Sequence, residues 1–339
     1  MSGRTRTISA LLGVGVAALF IWGIDDKPKS KYFNNEGKVF GTYYNIQYEA
    51  TNNLEDSIQA AFQAFDNSLS MFNPNSVISA VNQNRDTVTD APFEAMWTEA
   101  ERVYRLSDGA FDITVAPLVN LWGFGFQHRE NVTAEAVHDL LPLIGFNRVW
   151  LQDHRVIKSN PLIMLDAGAV AKGQACDMIA SLLDRNGAEN YLVEVGGEIV
   201  SKGLNKRGKP WRVGITKPQD DVTGEKNELQ EILEVSNICM ATSGNYRNFY
   251  YDGEQKRSHT IDPRTGYPVR HSLLSATIVS TTCMRADALA TACMVLGAHS
   301  ALDMIERAGD AACYLIVSDN DSLTVVKSSN WDQMITPNP

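Results

Sequence analysis

An α+β fold is the class that this sequence of 339 residues predicts. Two observations lead to it: apolar residues recur at helical spacing in several segments, and short β-rich runs lie between them without a regular strand–helix–strand rhythm. The sequence shows no internal repeat and no low-complexity tract. A chain of this length can bury a sizeable core. We therefore expect a single domain of mixed strands and helices.

The composition is that of a globular protein, with 44% apolar and 21% charged residues. The formal net charge is −10, whereas nucleic-acid-binding surfaces usually carry a basic excess, so we predict no nucleic-acid partner. A nucleotide is still compatible with this charge, because it needs only a local pocket. The five cysteines lack CxxC spacing, and we interpret them as buried small hydrophobic residues: Cys176, Cys239, Cys283, Cys293 and Cys313.

The first 24 residues have the pattern of an export signal. Arg4 and Arg6 precede residues 8–24, a run of 17 residues without a charge, and two aspartates follow. A membrane span needs about 20 apolar residues, so this run is of marginal length. We predict a signal-anchor or export signal over 1–24, with the body on the periplasmic side of the bacterial inner membrane. A buried N-terminal helix is the alternative, although the run lacks a polar face.

The segment after this run is polar and contains several lysines, which suits a tether between membrane and body. No cysteine precedes Cys176, so a lipoprotein-type acylated cysteine is absent from the sequence. The expected organisation is therefore an anchor over 1–24, a tether over 25–37 and a folded domain over 38–339.

The first part of the domain contains strand-like and helical segments in turn. Residues 39–48 alternate well enough for a strand. Residues 54–71 carry an apolar face at helical spacing, as do residues 91–106, whose first turn holds Pro92. The segment 107–125 is rich in glycine and aromatic residues and too irregular for one element.

The middle of the chain predicts shorter elements. Residues 134–141 predict a short helix and residues 148–151 a short strand. A further strand at 163–165 leads into the glycine-containing loop 166–173, and a helix follows at 174–185.

The last part of the chain consists mostly of β-rich runs. These runs predict strands at 191–195, 211–215, 232–235, 246–251 and 273–280. Helices are predicted at 285–296, where Gly297 is the stop signal, and at 301–308. A closing hairpin is predicted from 312–317 and 322–326.

The stretch 241–269 combines turn residues with polar side chains. Small residues at 242–244 precede the aromatic strand. Within seven residues, the stretch then brings together four polar side chains, those of His259, Asp262, Arg264 and Thr265. We predict a rigid loop that presents these groups; the alternative is an ordinary hairpin and turn.

Three loops place small residues beside acidic ones: 166–173, 196–198 and 242–244. Glycine lets a backbone approach a phosphate closely and direct N–H groups at it. The Walker pattern GxxxxGK[ST] and the dinucleotide fingerprint GxGxxG do not occur, which disfavours two common nucleotide-binding folds. Taken one at a time, the loops are also compatible with ordinary turns.

Asp287 and Thr291 lie four residues apart in a predicted helix and therefore on one face. A carboxylate and a hydroxyl on adjacent turns suit a hard cation such as Mg²⁺, which takes oxygen ligands together with substrate phosphates. The alternative is an aspartate near a helix start that serves the helix dipole. Phe72 and Phe111 are candidates for stacking on a planar ring, because each neighbours polar turn residues.

Eight short motifs occur in the order and spacing typical of one family: 40–42, 70–82, 109–112, 166–173, 195–197, 241–246, 259–268 and 286–291. With these motifs the chain resembles the ApbE family, the FAD:protein FMN transferases, from Val39 to the C-terminus. So many ordered motifs argue against a chance similarity.

The resemblance implies a two-lobed catalytic domain with an FAD and Mg²⁺ site between the lobes. It implies an enzyme that cleaves the FAD pyrophosphate, transfers FMN through a phosphoester bond to a threonine of a target protein, and releases AMP. Targets in this family are typically subunits of membrane redox pumps. An FAD pyrophosphatase that gives FMN and AMP is one alternative, and a flavin-binding protein without turnover is another.

The resemblance also implies which residues form the site. The flavin nucleotide is contacted by Phe40, Phe72, Ala110, Phe111, Asp112, Asp166, Lys172 and Ile261. The metal is held by the Asp287 carboxylate, the Thr291 hydroxyl and the backbone carbonyl of Ala169. His259 lies beside the reacting phosphates, and we hypothesise that it helps to deprotonate the incoming threonine or orients a carboxylate that does.

Overall fold

The computed structural model describes residues 30–125, 132–218, 228–245, 249–252, 255–319 and 322–336. The predicted anchor, 1–24, and the beginning of the predicted tether lie outside the described residues. Within the described ranges, no helix is both long enough and apolar enough to cross a membrane.

Helices and strands follow one another irregularly along the chain, which confirms the mixed α+β class. The helices are α1 (Glu55–Leu69), α2 (Val77–Asn82), α3 (Ala91–Leu106), α4 (Ala116–Leu121), α5 (Ala134–Leu140), α6 (Ala171–Arg185), α7 (Cys283–Leu296), α8 (Ala298–Ala308) and α9 (Trp331–Ile335). The strands are β1 (Lys31–Val39), β2 (Thr42–Ala50), β3 (Val149–Gln152), β4 (Arg155–Lys158), β5 (Tyr191–Val195), β6 (Glu198–Lys202), β7 (Trp211–Thr216), β8 (Leu229–Val235), β9 (Ile238–Gly244), β10 (Phe249–Asp252), β11 (Gln255–Ser258), β12 (Ile261–Asp262), β13 (Tyr267–Pro268), β14 (Leu273–Ser280), β15 (Ala311–Asp319) and β16 (Ser322–Lys327). The predicted helices correspond to α1, α3, α5, α6, α7 and α8.

One antiparallel sheet of eight strands organises the domain, in the order β1-β2-β5-β6-β9-β14-β15-β16. Helices on one face bury the main core, where Ile58 of α1 and Leu289 of α7 are fully buried. The opposite face is covered by the β7–β8 pair and α9, which bury Trp211 and Trp331. The sheet thus lies between two apolar cores of a single domain. The division of the domain into two lobes stays a prediction.

The N-terminal part of the domain differs from the prediction. Residues 31–37, predicted as tether, belong to β1, which pairs with β2 from Lys31 opposite Ala50 to Val39 opposite Thr42. The predicted strand 39–48 therefore starts three residues later, after a turn at Phe40 and Gly41, both with positive φ. The polar composition of β1 was misleading because β1 is an edge strand, and an edge strand tolerates polar residues on both faces.

The predicted strand at 163–165 is wrong. The N–H of Leu165 donates to Oδ1 of Asn82 at 2.7 Å, and its carbonyl accepts from Nδ2 of the same amide at 2.9 Å. One side-chain amide therefore takes both backbone bonds that a neighbouring strand would have made. The sequence prediction could not anticipate this long-range partner.

The small residues at 242–244 were predicted as a turn but form the end of β9. This strand lies between β6 and β14, and α7 packs against it. Small side chains suit this place because they let the helix approach the strand closely. Of the predicted aromatic strand 246–251, residues 246–248 lie outside the described ranges, and the rest belongs to β10.

Candidate active site

A cavity of about 390 Å³ opens between α7, the start of α6 and the segment that follows α3. Its lining includes every predicted site residue except one: Phe72, Ala110, Phe111, Asp112, Asp166, Ala169, Lys172, His259, Ile261, Asp287 and Thr291. These residues come from segments that are far apart in the sequence. The fold therefore brings the predicted set together at one place.

Phe40 is the exception. Its ring packs against the rings of Phe62 and Phe65 on α1, with centroid distances of 5.7 Å and 5.4 Å. The side chain thus lies in the contact between the β1–β2 turn and α1 and does not line the cavity. Its place makes it a support for α1, the helix that leads to the cavity at Met71 and Phe72.

The apolar wall of the cavity contains two predicted stacking residues in different environments. Phe72 is 77% exposed, whereas Phe111 is only 2% exposed. Met71, Phe124 and Met294 complete this wall. Phe72 is therefore the ring with a free face for a planar ligand, while Phe111 is a buried part of the same wall.

Asp112 lines the cavity, but both of its carboxylate oxygens already hold backbone or hydroxyl groups. Oδ1 accepts from the N–H and the hydroxyl of Thr114 at 2.8 Å and 2.7 Å, and Oδ2 accepts from the N–H of Phe146 at 3.0 Å. Burial raises the pKa of this carboxyl, although the hydrogen bonds oppose the shift. Its main contribution is to fix the shape of the wall.

Asp166 connects the wall to the first turn of α6. Its N–H donates to the carbonyl of Ile113, and its Oδ1 accepts from the N–H of Gly168, both at 2.6 Å. Burial raises the pKa of the Asp166 carboxyl. The loop 166–169 is therefore tied to the segment around Ile113 and leads directly to Lys172.

Helices α6 and α7 cap each other with aspartates. Asp287 of α7 accepts at Oδ2 from the N–H of Gly173 in α6 at 3.0 Å. Asp177 of α6 accepts from the N–H groups of Cys283 and Met284 in α7 at 2.9 Å and 2.8 Å. A carboxylate at a helix N-terminus is favoured by unpaired N–H groups and by the helix dipole. This exchange fixes Asp287 relative to α6.

A buried arginine holds α7 from another side. Arg285 is 2% exposed and donates to Glu99 of α3 and to Asp310, each at 2.8 Å. Because both partners are carboxylates, the guanidinium charge is compensated where it is buried. The helix that carries Asp287 is thus fixed to α6 and to α3.

Gly173 is the point of closest approach between α6 and α7. A Cβ atom at this position would lie 2.2 Å from the carbonyl oxygen of Cys283 and 2.8 Å from the backbone nitrogen of Met284. Both are backbone atoms, so no side-chain movement can relieve the overlap. The short distance between the helices depends on this glycine.

Gly173→Ala is expected to destabilise the protein by about 1–3 kcal/mol, as overpacking does in a closed core. It should also weaken cation binding, because α6 must move away from Asp287. Thermal unfolding and a Mn²⁺ titration measure the two effects. Gly208→Ala is the control for a glycine substitution without overlap, because a Cβ there meets open space, although its φ of +68° adds a backbone strain that helical Gly173 does not have. Equal melting temperatures and equal cation affinities in the two variants would contradict this expectation.

Lys172 projects towards the cavity between two acidic groups. Its Nζ lies 3.0 Å from Oε1 of Glu198 and 3.7 Å from Oδ1 of Asp287. Burial alone would lower the pKa of this ammonium, but attraction to Asp287 and Glu198 raises it above its usual value. Gly196 leaves room for the stem, because a Cβ there would lie 3.1 Å from Cδ of Lys172. Lys172 thus carries a fixed positive charge at the cavity.

Glu198 is the residue of this site that the sequence analysis missed. It is 2% exposed, and its Oε2 is buried without a hydrogen-bond partner among the described residues. Burial raises the pKa of this carboxyl to about 8, although Lys172 opposes the shift. The only sequence signal was an acidic residue directly after two glycines at 196–197, which was noted as part of a loop and given no role.

The stability of the protein should depend on the protonation of Glu198. Its folded-state pKa of about 8 exceeds the usual 4.5, so folding favours the protonated form. The stability contributed by that proton is fully present below the unfolded-state pKa and is lost as pH rises through the folded-state pKa. The melting temperature of Glu198→Gln should therefore increase relative to that of the parent from about pH 5 to about pH 9 in metal-free buffer. A constant difference in melting temperature would contradict this assignment.

The predicted metal ligands fit a hard cation by their chemistry. They offer a carboxylate from Asp287, a hydroxyl from Thr291 and the backbone carbonyl of Ala169, and all three residues line the cavity. Oγ1 of Thr291 is 3.5 Å from Oγ of Ser243. Oδ2 of Asp287 accepts from the N–H of Gly173. The Ala169 carbonyl, in contrast, accepts from no backbone N–H of a described residue.

The three protein oxygen groups would leave other coordination positions of a cation open to further ligands. Mg²⁺ is usually held by one or two carboxylates together with waters and substrate phosphates. Within the described ranges, no group of three or more His, Cys, Asp or Glu side chains is arranged to hold a metal. A site of this composition therefore suits a cation that also binds the ligand's phosphates.

His259 lines the same cavity, next to Phe124. Its ring is 6.3 Å from the ring of Phe124, at an interplanar angle of 69°. The hairpin β12–β13 that follows is fixed by Trp122, whose Nε1 donates to the Gly266 carbonyl at 2.9 Å. Ile261 of this hairpin is 5% exposed and lines the cavity. The imidazole is thus presented to the cavity from a supported loop.

The other polar residues of this loop do not converge on the cavity. Asp262 and Arg264 bond each other in a bidentate pair at 2.9 Å and 2.8 Å. Asp262 and Thr265 line a neighbouring depression of about 530 Å³, which shares Val295 with the cavity as a lining residue. The prediction of one loop presenting four groups is therefore wrong in part, since only His259 of the four lines the cavity.

Fold and cavity together define an enzyme domain that can bind an aromatic, phosphate-bearing ligand. The aromatic wall suits the ring, the lysine suits the phosphates, and the oxygen groups suit a cation. A family model described as the ApbE family matches residues 40–315 of the chain. This chain belongs to the ApbE family.

Individual relatives agree with this assignment. An FAD:protein FMN transferase of Haemophilus influenzae is 33% identical over 325 residues, covering 91% of this chain and 93% of that protein. An FAD:protein FMN transferase of Escherichia coli (strain K12) is 35% identical over 339 residues, covering 94% of this chain and 95% of that protein. The solved structure of "Flavin Transferase ApbE from Vibrio cholerae" has a TM-score of 0.81 at 33% identity, covering 90% of this chain and 100% of that chain.

Proposed function

We propose that this protein is an FAD:protein FMN transferase. One observation carries the proposal: Lys172, Asp287 and Thr291 face the same cavity as His259 and an aromatic wall. The names of the relatives support it. The cation is Mg²⁺, because the available ligands are oxygen atoms and the ligand brings a pyrophosphate.

The transfer makes one bond and breaks one. The hydroxyl oxygen of the acceptor threonine forms a bond to the phosphorus of the FMN half of FAD. The bond from this phosphorus to the bridging oxygen breaks, the bridging oxygen leaves as a phosphate oxygen of AMP, and the hydroxyl proton passes to His259 or to the base that it orients. Bound Mg²⁺ would neutralise negative charge on the pyrophosphate.

The residues of the chain have distinct tasks in this reaction. Lys172 binds pyrophosphate oxygens through its ammonium, and Phe72 stacks on a ring of FAD. His259 accepts the hydroxyl proton or orients the group that accepts it. Positioning and charge neutralisation dominate catalysis of phosphoryl transfer, which agrees with a site built from fixed charges.

The proposal also covers the protein that accepts FMN and the cellular location of the enzyme. The acceptor is a threonine-bearing segment of a membrane redox-pump subunit, and it reaches His259 through the neighbouring depression at Val295. The protein is anchored by residues 1–24 to the inner membrane, with its domain on the periplasmic side. The charge pattern around the apolar run supports this placement. Fractionation of cells with and without residues 1–24 tests it, and an unchanged soluble fraction would contradict it.

AMP release tests the activity. The purified protein is incubated with FAD and Mg²⁺, with and without a peptide that carries a threonine between small residues. We expect AMP mainly when the peptide is present. AMP at the same rate without the peptide would indicate an FAD pyrophosphatase, and no AMP in either case would indicate a flavin-binding protein without turnover. The same peptide with alanine in place of threonine is the control.

A further inference from the structure

Lys172 and a cation compete for the same carboxylate. Nζ of Lys172 is 3.7 Å from Oδ1 of Asp287, the carboxylate oxygen that does not accept from the Gly173 N–H. An ammonium and a divalent cation are both attracted to a carboxylate. If Lys172 paired closely with Asp287, the main metal ligand would be partly neutralised before a cation arrived.

Glu198 is placed to prevent this pairing. Its Oε1 accepts from Nζ of Lys172 at 3.0 Å, a shorter distance than the one to Asp287. Its backbone is fixed, because Glu198 pairs with Val195 in the β5–β6 hairpin and its carbonyl accepts from Sγ of Cys176. The side chain does not line the cavity, so it acts on the site through Lys172.

The burial of Glu198 calls for an explanation. A carboxyl group that is 2% exposed, with one oxygen lacking a partner among the described residues, costs stability. Replacement by an apolar residue of similar size would remove that cost. The geometry suggests that the side chain is present for what it does to Lys172.

We propose that Glu198 is a positioning residue that holds the Lys172 ammonium away from Asp287. Asp287 then remains available to the divalent cation, and the ammonium stays beside it for the phosphates of the ligand. The inference rests on the proposed function only in naming the cation as Mg²⁺. Residues that orient a metal site from behind typically change metal affinity by about 10–100-fold when replaced.

A double-mutant cycle on the full chain tests the proposal. Mn²⁺ is the probe, its dissociation constant is measured by electron paramagnetic resonance, and Mg²⁺ is added in competition. Glu198→Leu should raise the dissociation constant about tenfold, because Lys172 loses its nearer acceptor and turns to Asp287. Glu198→Gln keeps a carbonyl acceptor and should stay within about threefold of the parent.

The decisive variant removes the competing ammonium. Glu198→Leu combined with Lys172→Met should bind Mn²⁺ as tightly as Lys172→Met alone, since nothing then competes for Asp287. A residue that only supported the fold would give no such rescue. Glu194→Leu on β5, half-buried and directly opposite Ile199, is the matched control for the loss of a carboxylate.

Three results would overturn the proposal. They are a Glu198→Leu affinity within about twofold of the parent, a double variant that stays as weak as Glu198→Leu, and a parent protein that does not bind Mn²⁺. These readouts do not involve transfer of FMN. A parent that binds Mn²⁺ but transfers no FMN would therefore contradict the proposed function and leave the role of Glu198 in place.

Discussion

Asp287→Ala is expected to lower Mg²⁺-dependent release of AMP from FAD by about 100-fold or more. The carboxylate is the only charged group among the proposed metal ligands, and it is 2% exposed at the cavity. Its loss also leaves Lys172 with one acidic partner in place of two. Initial rates of AMP release over a range of Mg²⁺ concentrations measure the effect.

Two further variants separate the metal from the helix cap. Asp287→Asn keeps an oxygen that can accept from the Gly173 N–H but removes the charge, so it should fold normally and remain inactive. Asp177→Ala removes the reciprocal cap on α7 without touching the cavity. It should cost about 1 kcal/mol of stability and retain most of the activity. Unchanged turnover of Asp287→Ala at limiting Mg²⁺ would refute the metal assignment.

His259→Ala is expected to slow transfer of FMN to an acceptor peptide by about 10²–10⁴-fold, the range typical of a lost general base. The affinity for FAD should change little, because Lys172 and the aromatic wall are intact. Single-turnover transfer measures the chemical step, and quenching of flavin fluorescence measures binding.

A second histidine provides the matched control for this variant. His299 of α8 is 92% exposed and lines neither the cavity nor the neighbouring depression. His299→Ala should leave the chemical step within about threefold of the parent. Full transfer by His259→Ala would exclude an essential role in removing the hydroxyl proton.

The parts of the site that are local in sequence could be predicted. Asp287 and Thr291 share a helix face because their spacing of four residues is one helical turn, and α7 confirms the helix. The predicted loop 166–173 leads into α6 as its glycines and the apolar pattern after it indicated, but the helix begins three residues earlier than predicted, at Ala171. The resemblance added Ile261 and gave a role to His259, which the stretch 241–269 had already singled out; both residues line the same cavity.

The remaining parts depend on contacts between distant segments. The role of Glu198 follows from its contact with Lys172, where β6 meets α6. The sequence around either residue does not indicate this contact. Phe40 was carried over from a motif, but its ring packs on α1 instead. The strand β1 was taken for a tether because polar residues suit both a linker and an edge strand. In each case the local sequence is compatible with two structures, and a tertiary contact decides between them.

The stretch 241–269 illustrates the same limit. Its turn residues and polar groups predicted one functional loop, yet β9 joins the central sheet while the Asp262–Arg264 pair lies outside the cavity. Of the four polar groups, His259 alone lines the cavity. The charged groups of the proposed mechanism, Lys172 and Asp287, lie on α6 and α7.

The mass of the acceptor after the reaction tests the central proposal most directly. A threonine-bearing peptide is incubated with the protein, FAD and Mg²⁺ and then analysed by mass spectrometry with fragmentation. We predict an increase by one FMN less one water, located on the threonine, together with one AMP per modified peptide. An unmodified peptide in a reaction that has released AMP and free FMN would contradict transfer.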